Sequence, residues 1–203
     1  MENKKIISIM GPSGVGKTTL GDNLSLRDGL YIPRHCTTRL RRSDDKDNFY
    51  RYLTHEEYEK EFLDGNFLIT SGDGPTIKKE YGNFYGVLSS DCLEGWKHSD
   101  SIILFVSYKD IGRLIELREK GFNIDIINLT FYDIASGVRS RITNDSRRRT
   151  TQKEIESRIY WALKDDQDYR DIVMKEATTT IHTDVLAIEQ TYEEACRVLK
   201  LRK

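Results

Sequence analysis

Apolar residues in this chain gather into short runs that alternate with stretches of helical period. Ile6-Ile7-Ser8-Ile9-Met10 and Ser101-Ile102-Ile103-Leu104-Phe105-Val106 read as strands buried on both faces, the pattern of a parallel sheet. The pattern predicts a strand over 5–10, a helix over 16–27 and a second short strand at Leu30-Tyr31-Ile32. Further on, a helix over 109–120 stops at Gly121, Ile124 to Leu129 forms the next strand, and a helix over 131–142 carries Arg139 and Arg141. A long helix over 152–172 places Ile155, Ile159, Ala162 and Leu163 on one face. It precedes a last strand at Thr178–His182 and a closing helix from Leu186 to Leu199 with Tyr192, Ala195 and Leu199 inward. Strands alternating with helices predict an α/β fold of three layers, a parallel sheet covered on both sides.

The middle of the chain breaks this rhythm. The stretch from His35 to Asp47 is polar and highly charged, which predicts a loop, and it places Arg39, Arg41 and Arg42 close together. Guanidinium groups suit bidentate phosphate contacts. The same loop also reads as a solvated basic segment answered by Asp44, Asp45 and Asp47. Asn48 to Leu53 alternates like a half-exposed strand. Thr54-His55-Glu56-Glu57 has the form of a capping box opening a helix over 55–63, which puts His55 on a surface helix. Asp64-Gly65-Asn66 is a turn, Phe67 to Thr70 a strand, and Ser71 to Glu80 a loop. The aromatics of Tyr81-Gly82-Asn83-Phe84-Tyr85-Gly86-Val87 either stack on a base or pack in a hairpin.

Composition narrows the function. A length of 203 residues suits one domain, and 32% charged residues with a net charge of −1 argue against a general polyanion binder. Phosphate chemistry must then be local, and Arg147-Arg148-Arg149 is weak support for nucleic-acid binding. Cys36, Cys92 and Cys196 show no metal spacing and read as reduced thiols. The apolar run before Gly11-Pro12 is too short for a signal peptide, and no run reaches membrane-spanning length. The expectation is a cytoplasmic protein, monomer or homodimer, with a small-molecule partner and neither nucleic acid nor membrane.

That local chemistry lies at Gly11-Pro12-Ser13-Gly14-Val15-Gly16-Lys17-Thr18-Thr19, between the first strand and the first helix. The spacing G-x-x-x-x-G-K-T is that of a phosphate-binding loop. Its glycines turn backbone N–H groups inward, Lys17 brings a point charge to the outer phosphates, Thr18 can ligate Mg²⁺, and the helix N-terminus adds a favourable dipole.

From Ile6 to about Leu199 these pieces resemble the guanylate kinase family of nucleoside monophosphate kinases. Besides the phosphate loop, Thr37-Thr38-Arg39 with Arg42 resembles the family's T-T-R-x-x-R, whose arginines hold the monophosphate. Tyr50 falls near its first phosphate-binding tyrosine, and Gly82-Asn83-Phe84-Tyr85-Gly86 resembles G-N-Y-Y-G, making Tyr85 the second. Arg141, Arg147, Arg148 and Arg158 lie where the family's lid and its flanks carry catalytic arginines. The departures concern guanine. Ile69 or Thr70 stands where a glutamate is usual, Val87 replaces a serine or threonine, and Phe105-Val106-Ser107 replaces D-x-D. The usual Mg²⁺-side acid is thus missing, with Asp110 and Asp125 as poorly placed candidates, and His35 sits near a base-contacting serine. Phe84-Tyr85-Gly86-Val87 also resembles the ribose 1,5-bisphosphate kinases, whereas Arg39, Arg42 and Tyr50 follow the guanylate kinase manner.

The resemblance implies one P-loop domain: a core of about 1–34, 88–138 and 158–203, a small α+β acceptor-phosphate-binding insert over 35–87 and a helical lid over 139–157. It implies ATP and Mg²⁺, phosphoryl transfer to a phosphorylated acceptor, and GMP as first choice. Gly11, Ser13, Gly14, Val15, Gly16, Lys17, Thr18 and Thr19 would bind ATP. His35, Thr38, Arg39, Arg42, Tyr50, Thr70 and Tyr85 would bind the acceptor, and Lys17 with the lid arginines would act in catalysis. The alternatives are a ribose 1,5-bisphosphate or other nucleotide kinase, and a non-catalytic guanylate-kinase-like interaction domain.

Overall fold

A computed structural model describes residues 4–42, 45–71, 82–144 and 150–201. Ile6, Ile7, Ile9 and Met10 are fully buried, so β1 (Lys5–Met10) takes an interior place in its sheet. It pairs in parallel with β6 (Ser101–Val106) on one side and β7 (Asn123–Thr130) on the other. The strand β8 (Thr179–His182) adds in parallel to β7, giving the order β6-β1-β7-β8. The strand expected at Leu30–Ile32 shrinks to a single parallel bridge from Tyr31 to Ile102.

Period-two alternation sends side chains of the same strands to two hydrophobic clusters. On one face Ile7, Ile9, Ile103, Ile127 and Leu129 pack with α1 (Lys17–Asp28), α5 (Ile134–Thr143) and α7 (Ile188–Leu199). On the other, Ile6, Met10, Ile102, Leu104 and Ile126 pack with α3 (Ser89–His98) and α4 (Ile111–Glu119). A 3-10 turn over Tyr108–Asp110 precedes α4. The long helix α6 (Gln152–Glu176) serves both clusters, giving Ile155, Ile159 and Ala162 to the first and Val173 to the second. Leu163, expected on its inward face, is 44% exposed. The inward stripe steps instead from Ala162 through Tyr169 to Val173, as a 3.6-residue period requires. The result is a three-layer α/β/α core of the P-loop type, with a second small sheet attached.

That second sheet has the order β3-β2-β5-β4. Here β2 (His35–Thr37) runs parallel to β3 (Tyr50–Tyr52) and antiparallel to β5 (Tyr85–Leu88), which pairs antiparallel with β4 (Phe67–Thr70). Thr54 caps α2 (His55–Leu63): its Oγ1 accepts from the Glu57 N–H at 3.1 Å, and Glu57 Oε2 accepts from the Thr54 N–H at 2.8 Å. Tyr58 of α2 is fully buried with Cys36 and Leu88. Two expectations are corrected here. The stretch from His35 reads as loop, yet His35, Cys36 and Thr37 are buried strand, because each polar group there has a partner. The helix α3 has no counterpart in the sequence reading: only Cys92 and Trp96 form its apolar contact, too short a stripe to stand out.

Candidate active site

The phosphate loop follows β1 and opens α1. Gly11, Gly14 and Gly16 all have positive φ. At Gly11 a Cβ would also come within 2.1 Å of the Leu129 carbonyl oxygen, so β7 itself demands glycine there. Lys17 folds back over its own loop, with Nζ donating to the Gly11 carbonyl at 2.7 Å and that of Pro12 at 2.9 Å. Burial lowers its pKa to about 8, against the pull of Asp165.

A cavity of about 520 Å³ opens between this loop, the small sheet and α6. Its floor is Gly11, Pro12, Ser13, Lys17 and Thr18; one wall carries His35, Phe49, Tyr50, Ser71, Asn83 and Tyr85. Phe105, Val106, Ser107, Lys109 and Asp110 follow from the end of β6, and Arg158, Trp161, Ala162 and Asp165 come from α6. Arg158 Nη1 donates to Ser13 Oγ at 3.3 Å, fixing α6 over the loop. A smaller hollow beyond the start of α1 is lined by Val15, Gly16, Thr19, Arg141, Thr183 and Leu186 among others. Arg141 Nη2 donates to the Thr183 carbonyl at 2.8 Å, so Arg141 stands on this hollow, away from the large cavity. Gly14 lies beside it: a Cβ there would be 3.2 Å from Arg141 Cβ.

The expected acceptor residues divide. His35, Tyr50 and Tyr85 line the cavity, while Thr38, Arg39, Arg42 and Thr70 stand outside its lining. Thr38 Oγ1 accepts from the Phe84 N–H at 2.9 Å, and Thr70 pairs with Gly86 in the β4–β5 ladder. Arg39 is 7% exposed and meets Asp45, 4% exposed, through two bonds of 2.6 and 2.5 Å. Asp45 also accepts from the Tyr52 hydroxyl and the Arg42 N–H, and the Arg39 guanidinium lies 4.6 Å from the Tyr50 ring centroid. Bonding to Arg39 holds the Asp45 carboxyl far below the ordinary range and raises Arg39 in turn. The reading in which acidic neighbours answer the basic loop is thus realised for Arg39, and for Arg41, which pairs with Asp47. Arg147 and Arg148 lie outside the described residues.

His35 is buried, stacked on Phe49 at 5.4 Å and 3° and tilted against Phe105. Its Nδ1 bonds the Pro33 carbonyl and its Nε2 accepts from the Phe105 N–H, which together assign a neutral ring protonated at Nδ1. Burial lowers its pKa to about 4. Of the two acids named from sequence, Asp110 lines the cavity, whereas Asp125 pairs with Lys5 away from it. The sequence reading missed Asp165 and Trp161. Their signal was the spacing of Arg158, Trp161 and Asp165 at i, i+3 and i+7, one face of a helix.

No protein-family model matches the chain. It is 24% identical to the guanylate kinase of Fusobacterium nucleatum over 186 residues, 89% of this chain and 92% of that one. It is also 24% identical to the guanylate kinase of Clostridium tetani over 204 residues, all of this chain and 92% of that one. Over nearly its whole length the chain is thus similar to guanylate kinases. Its fold matches the crystal structure of guanylate kinase from Anaplasma phagocytophilum, with a TM-score of 0.67, 17% identity, and coverage of 97% of this chain and 85% of that one. A sugar kinase from Janibacter shares the fold more loosely, with a TM-score of 0.51, 14% identity, and coverage of 98% and 95%. Phe105, expected from the resemblance to stand where D-x-D begins, has its ring 5.4 Å from that of His35. No helix among the described residues is long and apolar enough to cross a membrane.

Proposed function

We propose that the protein is an ATP-dependent phosphotransferase that carries the γ-phosphate of ATP to a phosphorylated acceptor, with GMP first in line (ATP + GMP = ADP + GDP). One observation carries the reading: Lys17 and Thr18 of the phosphate loop share one cavity with Tyr50 and Tyr85 of the small sheet. Two phosphorylated ligands can meet there end to end.

Phosphoryl transfer is mostly positioning and charge neutralisation. Loop N–H groups between Gly14 and Thr18 would hold the donor's outer phosphates, and Lys17 would leave the Gly11 and Pro12 carbonyls to join them. Arg158, already over Ser13, would neutralise charge on the transferring group, with Arg147 and Arg148 as further lid cations. Tyr50 and Tyr85 would anchor the acceptor phosphate, with Arg39 steadying Tyr50 from behind. The hollow at Arg141 would shelter the donor's base, where the buried Thr183 Oγ1 has no partner among the described residues. No general base is needed, because an acceptor phosphate oxygen is already ionised.

The donor set suits Mg²⁺: the Thr18 hydroxyl and the carboxylates of Asp110 and Asp165 face the same cavity. Magnesium characteristically takes one or two protein ligands and completes its shell with phosphate and water. When bound it would offset charge on the donor phosphates.

A second reading keeps the chemistry and changes the acceptor to ribose 1,5-bisphosphate. It is favoured by the absence of a carboxylate from the small sheet among the described lining residues, and by Val87, which is buried in β5. A coupled ADP-release assay with Mg-ATP against GMP, dGMP, AMP, UMP, CMP and ribose 1,5-bisphosphate separates the two. Turnover with GMP supports the first reading; turnover with the sugar bisphosphate alone replaces it with the second.

A further inference from the structure

Trp161 stands out among the residues of the cavity. The residue is 56% exposed and belongs to neither core cluster. A large aromatic side chain left in water on a well-packed helix is not explained by folding, and such residues are characteristic of binding surfaces. Its nearest ring, Tyr160 at 5.2 Å and 79°, is itself exposed and gives it no shelter. Its direction is fixed, however. Arg158, one turn before, is tied to Ser13, and Asp165, one turn after, lines the same cavity.

The opposite side of that cavity is aromatic as well: Phe49, Tyr50 and Tyr85 from the small sheet and Phe105 from the core. Among the described residues the small sheet offers no carboxylate to the cavity, and both His35 ring nitrogens are already engaged. A ligand entering between these walls meets several ring faces, beside the uncharged polar side chains of Ser71 and Asn83.

We infer that Trp161 is an acceptor-binding residue: its indole closes the cavity from α6 and holds a planar base by stacking. The inference rests on the proposed phosphotransferase reading and deepens it. It names the acceptor class as nucleoside monophosphates. It also makes selectivity among bases weak, because every base presents a π-face. Stacking on one aromatic ring sets the expected loss in Trp161→Ala at roughly ten- to a hundred-fold in acceptor affinity, with kcat little changed. Trp161→Phe keeps a ring and retains most of the affinity.

The chain has two tryptophans, and Trp96 is only 7% exposed, so acrylamide quenching of the intact protein reports chiefly on Trp161. The test pairs that quenching with calorimetric binding and ADP release for GMP, AMP and ribose 1,5-bisphosphate. Protection of the fluorescence by GMP and AMP, affinities for the two within about ten-fold, and the stated loss in Trp161→Ala with rescue by Trp161→Phe support the inference. A nucleotide that binds and turns over equally well in Trp161→Ala overturns it and leaves the phosphotransferase standing. So does turnover of ribose 1,5-bisphosphate alone. If the wild-type chain neither binds nor phosphorylates any of the three, the proposed function fails and the inference falls with it.

Discussion

The parallel core and the small sheet solve the same problem by different means. In the core, strands of Ile, Leu and Val bury both faces, and the phosphate loop inherits its position from β1 and β7. In the small sheet, three- and four-residue strands carry His35 and Thr37, Arg39 follows β2, and burial is offset by specific partners such as Asp45 and the Phe105 N–H. A hydrophobic run tolerates exchange of one apolar residue for another. A buried polar pair does not, because losing one member strands the other. The core is therefore a robust platform for the glycine-rich loop, whereas in the small sheet and the loop after it a single polar exchange costs most.

The largest effect that sharpens this contrast is at Asp45. Asp45→Ala leaves the Arg39 guanidinium buried without its carboxylate and should cost about 3–5 kcal/mol in urea unfolding. That is as much as Ile103→Ala in the core, at about 2–5 kcal/mol. A cost below 1 kcal/mol at Asp45 would break the contrast. The phosphate loop should behave oppositely: Lys17→Ala should lower kcat by about 10²–10³-fold while the thermal melt stays put, since Lys17 bonds only its own loop. Retained turnover would remove the loop from the reaction.

His35 makes the contrast depend on pH. Its folded pKa of about 4 lies below the ordinary 6.5, so between those values the unfolded chain binds more protons than the folded one. Stability should fall by about 3 kcal/mol as pH drops from 6.5 to 4, and the slope should flatten in His35→Gln. Asp45 works lower on the scale. Its depressed carboxyl contributes stability above the unfolded pKa, lost as pH falls through the folded one. The smallest effect is at the capping box, where Thr54→Ala should cost about 1 kcal/mol in urea unfolding.

The same contrast explains what was legible in the sequence. Apolar runs announced β1, β6 and β7, and the glycine spacing announced the phosphate loop, because each needs only local residues. The capping box placed α2 correctly at His55–Leu63. The strand β2 was hidden, since His35 becomes buriable only when the Phe105 N–H arrives from β6 to complete the bond its ring already makes to the Pro33 carbonyl. Tyr50 and Tyr85 could be named from their motif and do meet the cavity; that Arg39 faces Asp45 instead depends on a loop closing on itself. Trp161 and Asp165 were readable as neighbours on a helix, but nothing local says which face of α6 covers the loop.

The most direct measurement is ADP release by the intact protein with Mg-ATP and GMP, beside the same reaction with Lys17→Ala. The account predicts turnover that requires both substrates and is lost in the variant. GMP-independent ATP hydrolysis, or silence with every phosphorylated acceptor despite tight ATP binding, would contradict it.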